Sequence, residues 1–316
     1  MVVTDLHGDW DAYRRYRDRF VQLHARGQAD WLIFTGDLIH AEKPAHDRSV
    51  DMVLDLLALR QTYGDAIIYL CGNHEMPHIY SISLAKGERV YTPDFEKAMA
   101  ASDHRAEIIE LFTSLPFYIR TRAGVSITHA GAAALFADAA NAERIFNWDH
   151  KTLLDWSEAA IAGEDLAELR IGYARQHNNV PYHLLAQYFL AVSGPDDPRF
   201  NDLLRGFVAS SHPWFDDLLW PALFTRNEED YGAGDYAIFL DALLQELSRD
   251  FAPQQVLVAG HMTIMGGYKI VANRHLRLAS SRHAQPRKNG LYLLFDAARP
   301  VAGVEELLRG LGTVFD

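Results

Sequence analysis

The sequence predicts an α/β fold in which buried strands alternate with helices, interrupted by a long helical segment. Short apolar runs bounded by glycine and aspartate are typical of strands that helices cover on both faces. Such runs occur in the first 130 residues and return at the C-terminal end, whereas the segment between them has helical composition. Because the two strand-rich parts must meet in space, we predict one α/β domain (1–131 and 219–316) with a helical insert, or cap, at 132–218.

The first part of the chain alternates between the two element types. The apolar runs predict strands at 2–4, 31–35 and 66–71, and good helix formers between them predict helices at 12–26 and 50–59. The next stretch, FYIRTRAGVSITHAG, is typical of a hairpin with its turn near Ala123 and Gly124.

The middle and the end of the chain differ in pattern. The middle is rich in alanine, leucine and aromatic residues with helical spacing, and it is broken by SGPDDPRF and SSHPWFDD, where proline and aspartate indicate loops. Strand patterns then return in QQVLVAGH, GYKIVA, HLRLAS and GLYLLFD. The helical middle is therefore enclosed by strands of one domain.

Composition limits the classes of function. The 316 residues carry 30 Lys and Arg against 42 Asp and Glu, a net charge of −12. We therefore expect no strong nucleic-acid binding, which depends on basic surface. No apolar run is long enough to span a bilayer, so no membrane association is expected. The single cysteine, Cys71, fits a reducing compartment, and the N-terminus lacks a signal-peptide pattern, so we expect a cytoplasmic protein.

Polar side chains follow five of the predicted strands directly. In open α/β sheets the carboxyl ends of the strands are where ligand sites form, so we expect these side chains to converge. They are two aspartates, one asparagine and three histidines: Asp5, His7, Asp37, Asn73, His129 and His261. This mixture of oxygen and nitrogen donors suits Mn, Fe or Zn and contains too much imidazole for Ca. Six donors with one bridging carboxylate predict two ions about 3.5–4 Å apart.

Each of these residues also has an ordinary structural explanation. An aspartate before a helix is commonly an N-cap, which applies to Asp5, Asp9 and Asp37. An Asn-His pair is common in turns, and a single histidine after a strand is commonly hydrogen-bonded within the fold. Independent caps and turns would not place a metal-competent donor after every main strand, so the joint pattern favours the metal site.

The blocks DLHGD, GDLIH, GNHE, HAG and AGH occur in this order. They resemble the GDxHG, GDxVDRG, GNHE, HGG and GH blocks of the calcineurin-like metallophosphoesterases. They are most similar to the phosphoprotein phosphatase branch, which includes bacterial serine/threonine phosphatases and symmetric diadenosine tetraphosphate hydrolases. The GNHE block is identical to the family's block, whereas the short HAG and AGH blocks support the resemblance only because they occur in the family's order. The resemblance covers about the first 130 residues and the stretch from Leu219 onward. It implies a four-layer fold, two mixed sheets packed together and flanked by helices.

The resemblance also implies a role for each matching residue. The implied ligands are Asp5 and His7 for the first ion, Asn73, His129 and His261 for the second, and Asp37 as the bridge between them. His74 would protonate the leaving alkoxide rather than bind metal, and Glu75 would hydrogen-bond beside the site. Mn²⁺ is the expected metal, with Fe or Zn as alternatives.

The second block departs from the family pattern. His40 stands where the family has the aspartate that orients the general acid, and Ala41 replaces its phosphate-binding arginine. Asp47 and Arg48 follow after a short insertion. Two interpretations stay open: the longer loop returns Asp47 and Arg48 to the site as catalytic and substrate-binding groups, or the site has lost these supports and His40 takes a different role. A solvated loop of charges is the ordinary explanation of Asp47 and Arg48. The first block also differs, with Thr4 where the family has glycine.

Other residues are candidates for binding the substrate. Arg226, in LFTRNEEDYG, fits the family's arginine upstream of the last ligand histidine, and Asn227 is expected to assist it. An arginine can hold phosphate through two parallel hydrogen bonds. Tyr268, Arg282 and His283 are weaker candidates, which a surface hairpin explains equally well.

The leading hypothesis is a metal-dependent phosphomonoesterase. It would act on phosphoserine or phosphothreonine in proteins, or on a smaller phosphoester, by attack of a metal-bridging hydroxide with His74 as general acid. One alternative is a phosphodiesterase or dinucleoside polyphosphate hydrolase, which would use the same ligands with a different pocket. The other is a metal-binding scaffold whose catalysis has decayed, as the changes at His40 and Ala41 suggest.

Overall fold

The computed structural model describes residues 1–225 and 227–315, except for the side chains of Asn227 and Ala233. These residues form two compact units. The first unit consists of Met1–Asn73, Leu115–Asn147 and Leu218–Asp316, and the second of His74–Ser114 and Trp148–Asp217.

The boundaries of the units differ from those expected for domain and insert. Most of the expected insert at 132–218, namely Trp148–Asp217, belongs to the second unit. Residues 132–147 of the expected insert belong to the first unit. The second unit also contains His74–Ser114, which begins shortly after the third strand of the chain.

Fourteen strands are present in the described part of the chain. In chain order they are β1 (Val2–Val3), β2 (Leu32–Phe34), β3 (Ile67–Tyr69), β4 (Ala85–Lys86), β5 (Arg89–Val90), β6 (Tyr118–Arg120), β7 (Val125–Thr128), β8 (Val256–Ala259), β9 (Ile264–Met265), β10 (Tyr268–Val271), β11 (His275–Leu278), β12 (Ala284–Gln285), β13 (Leu291–Leu293) and β14 (Leu311–Thr313).

Fourteen α-helices lie between these strands within the described ranges, together with short 3₁₀ turns and a π-helical turn. They are α1 (Trp10–Ala25), α2 (Ser49–Tyr63), α3 (Met76–Tyr80), α4 (Thr92–Ala101), α5 (Arg105–Thr113), α6 (Ala139–Phe146), α7 (His150–Ala162), α8 (Leu166–Gln176), α9 (Tyr182–Leu190), α10 (Asp202–Ser210), α11 (Trp220–Phe224), α12 (Asn227–Asp230), α13 (Gly232–Leu247) and α14 (Val304–Leu307).

The first unit contains two five-stranded sheets. One has the order β14-β13-β1-β2-β3 and the other β10-β11-β8-β7-β6. The first sheet pairs β1, β2 and β3 in parallel, with β13 antiparallel to β1 and β14. The second pairs β7, β8 and β11 in parallel, with antiparallel strands at both edges. Both sheets are therefore mixed, as the family resemblance implies.

An apolar core lies between the two sheets. It combines Val2 and Ile33 of the first sheet with Ile127, Val258 and other aliphatic residues of the second. Because these strands are short and buried on both faces, each shows as a continuous apolar run in the sequence.

Helices cover the outer faces of the two sheets. Tyr13 of α1 stacks on Phe34 of β2, with ring centroids 5.8 Å apart. Tyr236 of α13 is hydrogen-bonded to His275 of β11 at 2.6 Å. The order helix, sheet, sheet, helix confirms the expected four-layer fold.

The second unit is mainly helical and has a core of its own. Its helices α8, α9 and α10 enclose an apolar cluster that includes Tyr173, Tyr182, Leu185 and Leu204. Its two strands, β4 and β5, form a short antiparallel pair. Among the residues that the structure describes, no helix of either unit is long and apolar enough to cross a membrane.

Candidate metal centre

The polar residues after the strands lie in loops at the carboxyl ends of parallel strands. Asp5 follows β1, Asp37 follows β2 and Asn73 follows β3, and these three strands are parallel neighbours in the first sheet. His129 follows β7 and His261 follows β8, which are parallel neighbours in the second. Parallel strands end at the same edge of a sheet, so each sheet brings its candidate ligands together.

The backbone of these loops is turned sharply at the candidate ligands. His7, Asp37 and His261 have φ values of 46°, 53° and 70°, a region that non-glycine residues rarely adopt. The backbone N–H groups of Leu6 and His7 donate to the carbonyl of Asp37 at 3.0 and 2.9 Å, which links the first two loops. Asp9, which has an ordinary negative φ, is a helix N-cap: its side chain accepts from the N–H of Ala12 at the start of α1.

Two glycines allow the loops to approach each other. A Cβ on Gly36, whose φ is +113°, would lie 2.7 Å from Nδ1 of His129 and 2.8 Å from the backbone of Gly72. A Cβ on Gly260 would lie on the carboxylate of Asp5. The glycines of the GD and AGH blocks are therefore needed for the close packing of the ligand loops.

His129 lies at the centre of one group of candidate ligands. Its Nε2 is 3.0 Å from Oδ1 of Asn73 and 3.0 Å from Nδ1 of His261. The same Nε2 is 3.6 Å from Oδ2 of Asp37. Asp37, His129 and His261 each offer a ligand atom within 4.8 Å of the others, which is close enough to hold one metal ion.

The donor pattern of this group fits a cation. Nδ1 of His129 lies 3.0 Å from the carbonyl oxygen of Thr35, which can only accept, so Nδ1 carries the proton. Nε2 therefore presents a lone pair, although it faces the oxygens of Asn73 and Asp37. Several lone pairs directed at one point repel each other unless a cation lies between them, and a backbone carbonyl on the far nitrogen is typical of metal-bound histidine.

A second group of candidate ligands includes His7, which also approaches Asp37. Nε2 of His7 is 3.7 Å from Oδ2 of Asp37, the same oxygen that faces His129. Nδ1 of His283 is 3.4 Å from Oδ1 of Asp5, and its ring meets that of His7 edge-on with centroids 4.8 Å apart. Asp5, His7 and His283 also offer ligand atoms within 4.8 Å of one another.

The electrostatics of the cluster favour the protonation states that bind metals. Burial lowers the pKa of His129 to about 4, although the charge of Asp5 opposes this, so the ring is neutral near pH 7. Burial alone would raise the pKa of Asp5, but the nearby imidazole of His283, with the charges of His129 and His7, lowers it well below its usual range. A metal ion requires neutral imidazole and ionised carboxylate.

A cavity of about 410 Å³ opens beside His7 within the first unit. Lys43, Arg282 and Arg287 are among its lining residues. Arg282 and Arg287 form ion pairs with Glu42 and with acidic residues at the start of α1. Lys43 makes no ion pair within the described part of the chain, so the cavity offers one cation that is not neutralised.

Comparison with known proteins decides the family. The model of the calcineurin-like phosphoesterases matches residues 1–261 of this chain. The chain belongs to the calcineurin-like phosphoesterase family. Membership supports a metal-dependent phosphoester hydrolase, since the family depends on two metal ions and this phosphoesterase has His and Asp clusters that can bind them. No curated protein sequence is significantly similar to the chain.

Solved phosphatase structures are similar to this phosphoesterase at low identity. A cold-active protein-tyrosine phosphatase of a psychrophilic Shewanella species is 16% identical, with a TM-score of 0.49, and the match covers 94% of this chain and 75% of that one. A protein serine/threonine phosphatase from Saccharomyces cerevisiae is 14% identical with a TM-score of 0.46, covering 98% and 76%. These values are too low to transfer a substrate.

The loop of the second block places Asp47 and Arg48 in different surroundings. The carboxylate of Asp47 packs against Gly8, the residue after His7, but it accepts from the N–H of Ala41 at 3.2 Å and from the N–H and hydroxyl of Ser49. Asp47 thus holds the loop in shape. Arg48 is half exposed, donates to Asp51 at 2.5 Å and lies over the Trp10 ring.

The remaining candidates fall in three places. Arg226 and the side chain of Asn227 lie outside the described residues, so their roles stay predictions. His74 and Glu75 are buried at the start of the second unit, where the His74 ring contacts Tyr91 with centroids 5.1 Å apart. Tyr268 is exposed on β10, an edge strand of the second sheet.

One positioning residue was missed by the sequence analysis. Arg277 on β11 is fully buried and donates to the carbonyls of Ala130 and Gly260, the residues next to the candidate ligands His129 and His261. Its guanidinium also pairs with Glu228 at 2.8 and 2.5 Å. The available signal was a charged residue inside an apolar strand pattern, because such a residue needs buried partners.

Proposed function

We propose that this phosphoesterase is a dinuclear metal-dependent phosphomonoesterase acting on phosphoserine or phosphothreonine in a protein, or on a small phosphoester. The observation that carries the proposal is the convergence of all six expected ligands at the ends of the strands of one unit. Two groups of ligand atoms share one oxygen of Asp37, which is 3.7 Å from Nε2 of His7 and 3.6 Å from Nε2 of His129.

Asp37 is therefore proposed as the bridge between two metal positions. Asp5 and His7 would hold one ion, and Asn73, His129 and His261 the other. Bound ions would supply positive charge for the phosphate oxygens and lower the pKa of a water molecule to make it a nucleophile. We favour Mn²⁺, with Fe or Zn as alternatives, because the donors are oxygen and imidazole nitrogen without thiolate. The only cysteine, Cys71, is buried and follows β3.

The chain's own residues would complete the reaction. We propose His74 as the general acid that protonates the leaving oxygen; it directly follows Asn73 in the chain, and an imidazole can donate a proton near neutral pH. Arg226, assisted by Asn227, is proposed to hold the phosphate, and Lys43 to attract the anionic substrate into the cavity beside His7.

The single cysteine leads us to place the enzyme in the cytoplasm.

A rate comparison tests the proposal. Protein loaded with Mn²⁺ is assayed with p-nitrophenyl phosphate and with bis-p-nitrophenyl phosphate at equal concentrations. We expect the monoester to be cleaved faster. A preference for the diester would replace the monoesterase with a phosphodiesterase or dinucleoside polyphosphate hydrolase. Two bound ions without turnover of either ester would contradict the proposed catalysis and support a metal-binding scaffold.

A further inference from the structure

The first loop of the metal centre is tied to a distant segment of the chain. Thr4 occupies the place of a family glycine, and its side chain is hydrogen-bonded. Its hydroxyl donates to the carbonyl of Leu278 at 3.0 Å and accepts from the N–H of Ser280 at 3.1 Å. The N–H of Thr4 in turn donates to Oγ of Ser280 at 2.9 Å. The departure from the family pattern thus creates a buried link between β1 and the end of β11.

A second link lies a few residues further along both segments. Oγ of Ser281 donates to Oδ2 of Asp9 at 2.8 Å, and Arg287 pairs with both oxygens of Asp9 at 2.8 and 3.0 Å. Ser280 and Ser281 are fully buried. The segment between the two links is therefore held against the loop that carries Asp5 and His7.

His283 lies within this clamped segment, just before β12. Its side chain is only 14% exposed, and Nδ1 lies 3.4 Å from Oδ1 of Asp5. That nitrogen is buried and makes no hydrogen bond within the part of the chain that the structure describes. An imidazole nitrogen left without a hydrogen bond in a buried polar site is costly unless something else binds it.

The neighbours of His283 are the candidate ligands of the first ion. Asp5 is already fixed, because its two carboxylate oxygens accept from the N–H of His261 at 3.0 and 2.9 Å. The ring of His7 lies edge-on to that of His283. A cation at this place would be held by one carboxylate and two imidazoles, a donor set that suits a divalent transition metal.

We propose that His283 is a seventh protein ligand of the metal centre and binds the ion held by Asp5 and His7. Thr4, Ser280 and Ser281 position it. The inference rests on the proposed dinuclear site and adds a ligand that the five sequence blocks do not contain. It predicts that the first ion position has a donor supplied from a segment after the last family block.

The test measures metal binding, not turnover. The full-length protein and its His283→Gln variant are stripped with chelator and titrated with Mn²⁺, and the bound ions are counted by elemental analysis. We expect the variant to bind one of its two ions at least about 10-fold more weakly, since even groups behind a metal ligand change metal affinity by about 10–100-fold. The Co²⁺-loaded variant should also show a changed visible absorption, which reports the number of ligands.

Two further variants separate ligation from folding. His46→Gln changes an exposed histidine that lines the cavity beside His7, and it should leave the affinities for both metal ions unchanged. Thr4→Val removes the hydroxyl bonds to Ser280 and should weaken the same ion position by less than His283→Gln does. The unfolding temperature of each metal-free variant shows whether the fold is intact.

The outcomes separate this inference from the proposed function. If His283→Gln binds two ions with the affinities and Co²⁺ spectrum of the unchanged protein, His283 is not a ligand, and the dinuclear phosphoesterase stands without it. If the unchanged protein binds fewer than two ions, both the inference and the dinuclear proposal fail. A metal-free His283→Gln variant that no longer folds would assign the residue a structural role and contradict ligation as its reason for burial.

Discussion

The candidate metal centre of the first unit and the core of the second unit bury histidines in opposite ways. In the first unit, Nε2 of His129 lies 3.0 Å from both Nδ1 of His261 and Oδ1 of Asn73. In this group the hydrogen-bond acceptors outnumber the protons available to them. In the second unit, His78 and His150 each have a complementary partner. Nδ1 of His78 lies 2.8 Å from Oε1 of Glu96, and Nδ1 of His150 lies 2.9 Å from the Tyr80 hydroxyl.

The partners in the second unit are themselves satisfied by protein groups. Glu96 also meets Arg105 at 3.3 Å and Arg199 at 3.5 Å, and the Tyr80 hydroxyl accepts from Nε1 of Trp148 at 3.3 Å. The Glu96 network pairs a carboxylate with donors from His78, Arg105 and Arg199, so it stabilises the unit without a bound ion.

The difference shows what distinguishes a candidate ligand from a structural histidine. Burial does not, because His78, His129 and His150 are all buried. The balance of protons does: a group of imidazoles, carboxylates and an amide oxygen with too few hydrogens requires a cation, whereas an imidazole beside a hydroxyl or a carboxylate does not.

The largest expected effect comes from removing the shared oxygen of the first unit. In Asp37→Asn, one bridging charge between His7 and His129 is lost, so we expect fewer than two Mn²⁺ ions per chain. Activity should fall by at least about 100-fold, because mutating residues that only support a metal ligand already costs about 10–100-fold. Elemental analysis and the p-nitrophenyl phosphate assay measure both quantities.

Asp65→Asn is the matched control, because Asp65 is exposed in the same unit and the change in charge is identical. It should keep both ions and normal turnover. Full metal occupancy with normal turnover in Asp37→Asn would contradict the bridging role.

The next effect concerns His74, the proposed general acid. His74→Asn should keep both ions. It should slow esters with poor leaving groups by about 10²–10⁴-fold, because these depend most on general-acid protonation. Hydrolysis of p-nitrophenyl phosphate, whose leaving group needs little help, should fall much less. Equal losses for alkyl and aryl esters would argue against the general-acid assignment.

A smaller effect is expected from the buried ion pair behind the ligand loops. Arg277→Met leaves the Glu228 carboxylate without its partner and the carbonyls of Ala130 and Gly260 without their donor. Breaking a buried pair in this way costs about 3–5 kcal/mol, so the free energy of unfolding should fall by this amount in chemical denaturation. Burial by itself would raise the pKa of Glu228, but Arg277 lowers it, which shows how strongly the charges interact.

Two variants test this explanation. Arg274→Met removes a partly exposed arginine that pairs with Asp241, and it should change the free energy of unfolding by no more than about 1 kcal/mol. Adding Glu228→Gln to Arg277→Met removes the buried charge and should recover part of the loss. No recovery would mean that the lost bonds to the carbonyls, and not the ion pair, set the cost.

Much of the first unit follows from the sequence, because local pattern and burial agree there. The apolar runs identified β2 and β3, and the residues around Gly124 identified the hairpin of β6 and β7. The short strands β9, β12 and β14 were not predicted. They contain two or three residues each, and pairing with distant strands rather than local apolar pattern makes them strands.

The site divides in the same way. Asp5, Asp37 and the other four expected ligands follow strands directly, so a local signal identifies them. His283 and Arg277 act through contacts with residues far away in the chain, and no local spacing reveals such contacts. The sequence pattern also does not predict the conformation of the loop that carries Asp47 and Arg48, because the hydrogen bonds of Asp47 to Ala41 and Ser49 form only in the folded loop.

The smallest expected effect tests the paired histidines of the second unit through pH. Burial lowers the pKa of His150 from 6.5 to about 4, so the folded chain keeps this ring neutral where the unfolded chain protonates it. As the pH falls from 6.5 towards 4, the unfolded state binds the extra proton and the free energy of unfolding decreases, by about 3 kcal/mol at most. His150→Gln removes this contribution, so its stability should decline less over that window.

Denaturation with urea at several pH values between 7 and 4 measures the difference. His183→Gln, at an exposed position of the same unit, should follow the pH dependence of the unchanged protein. Because both variants retain the histidines of the first unit, the acid sensitivity of the metal centre cancels from the comparison. Parallel pH profiles for His150→Gln and the unchanged protein would show that burial does not hold His150 neutral. The contrast between the histidines of the two units would then rest on geometry alone.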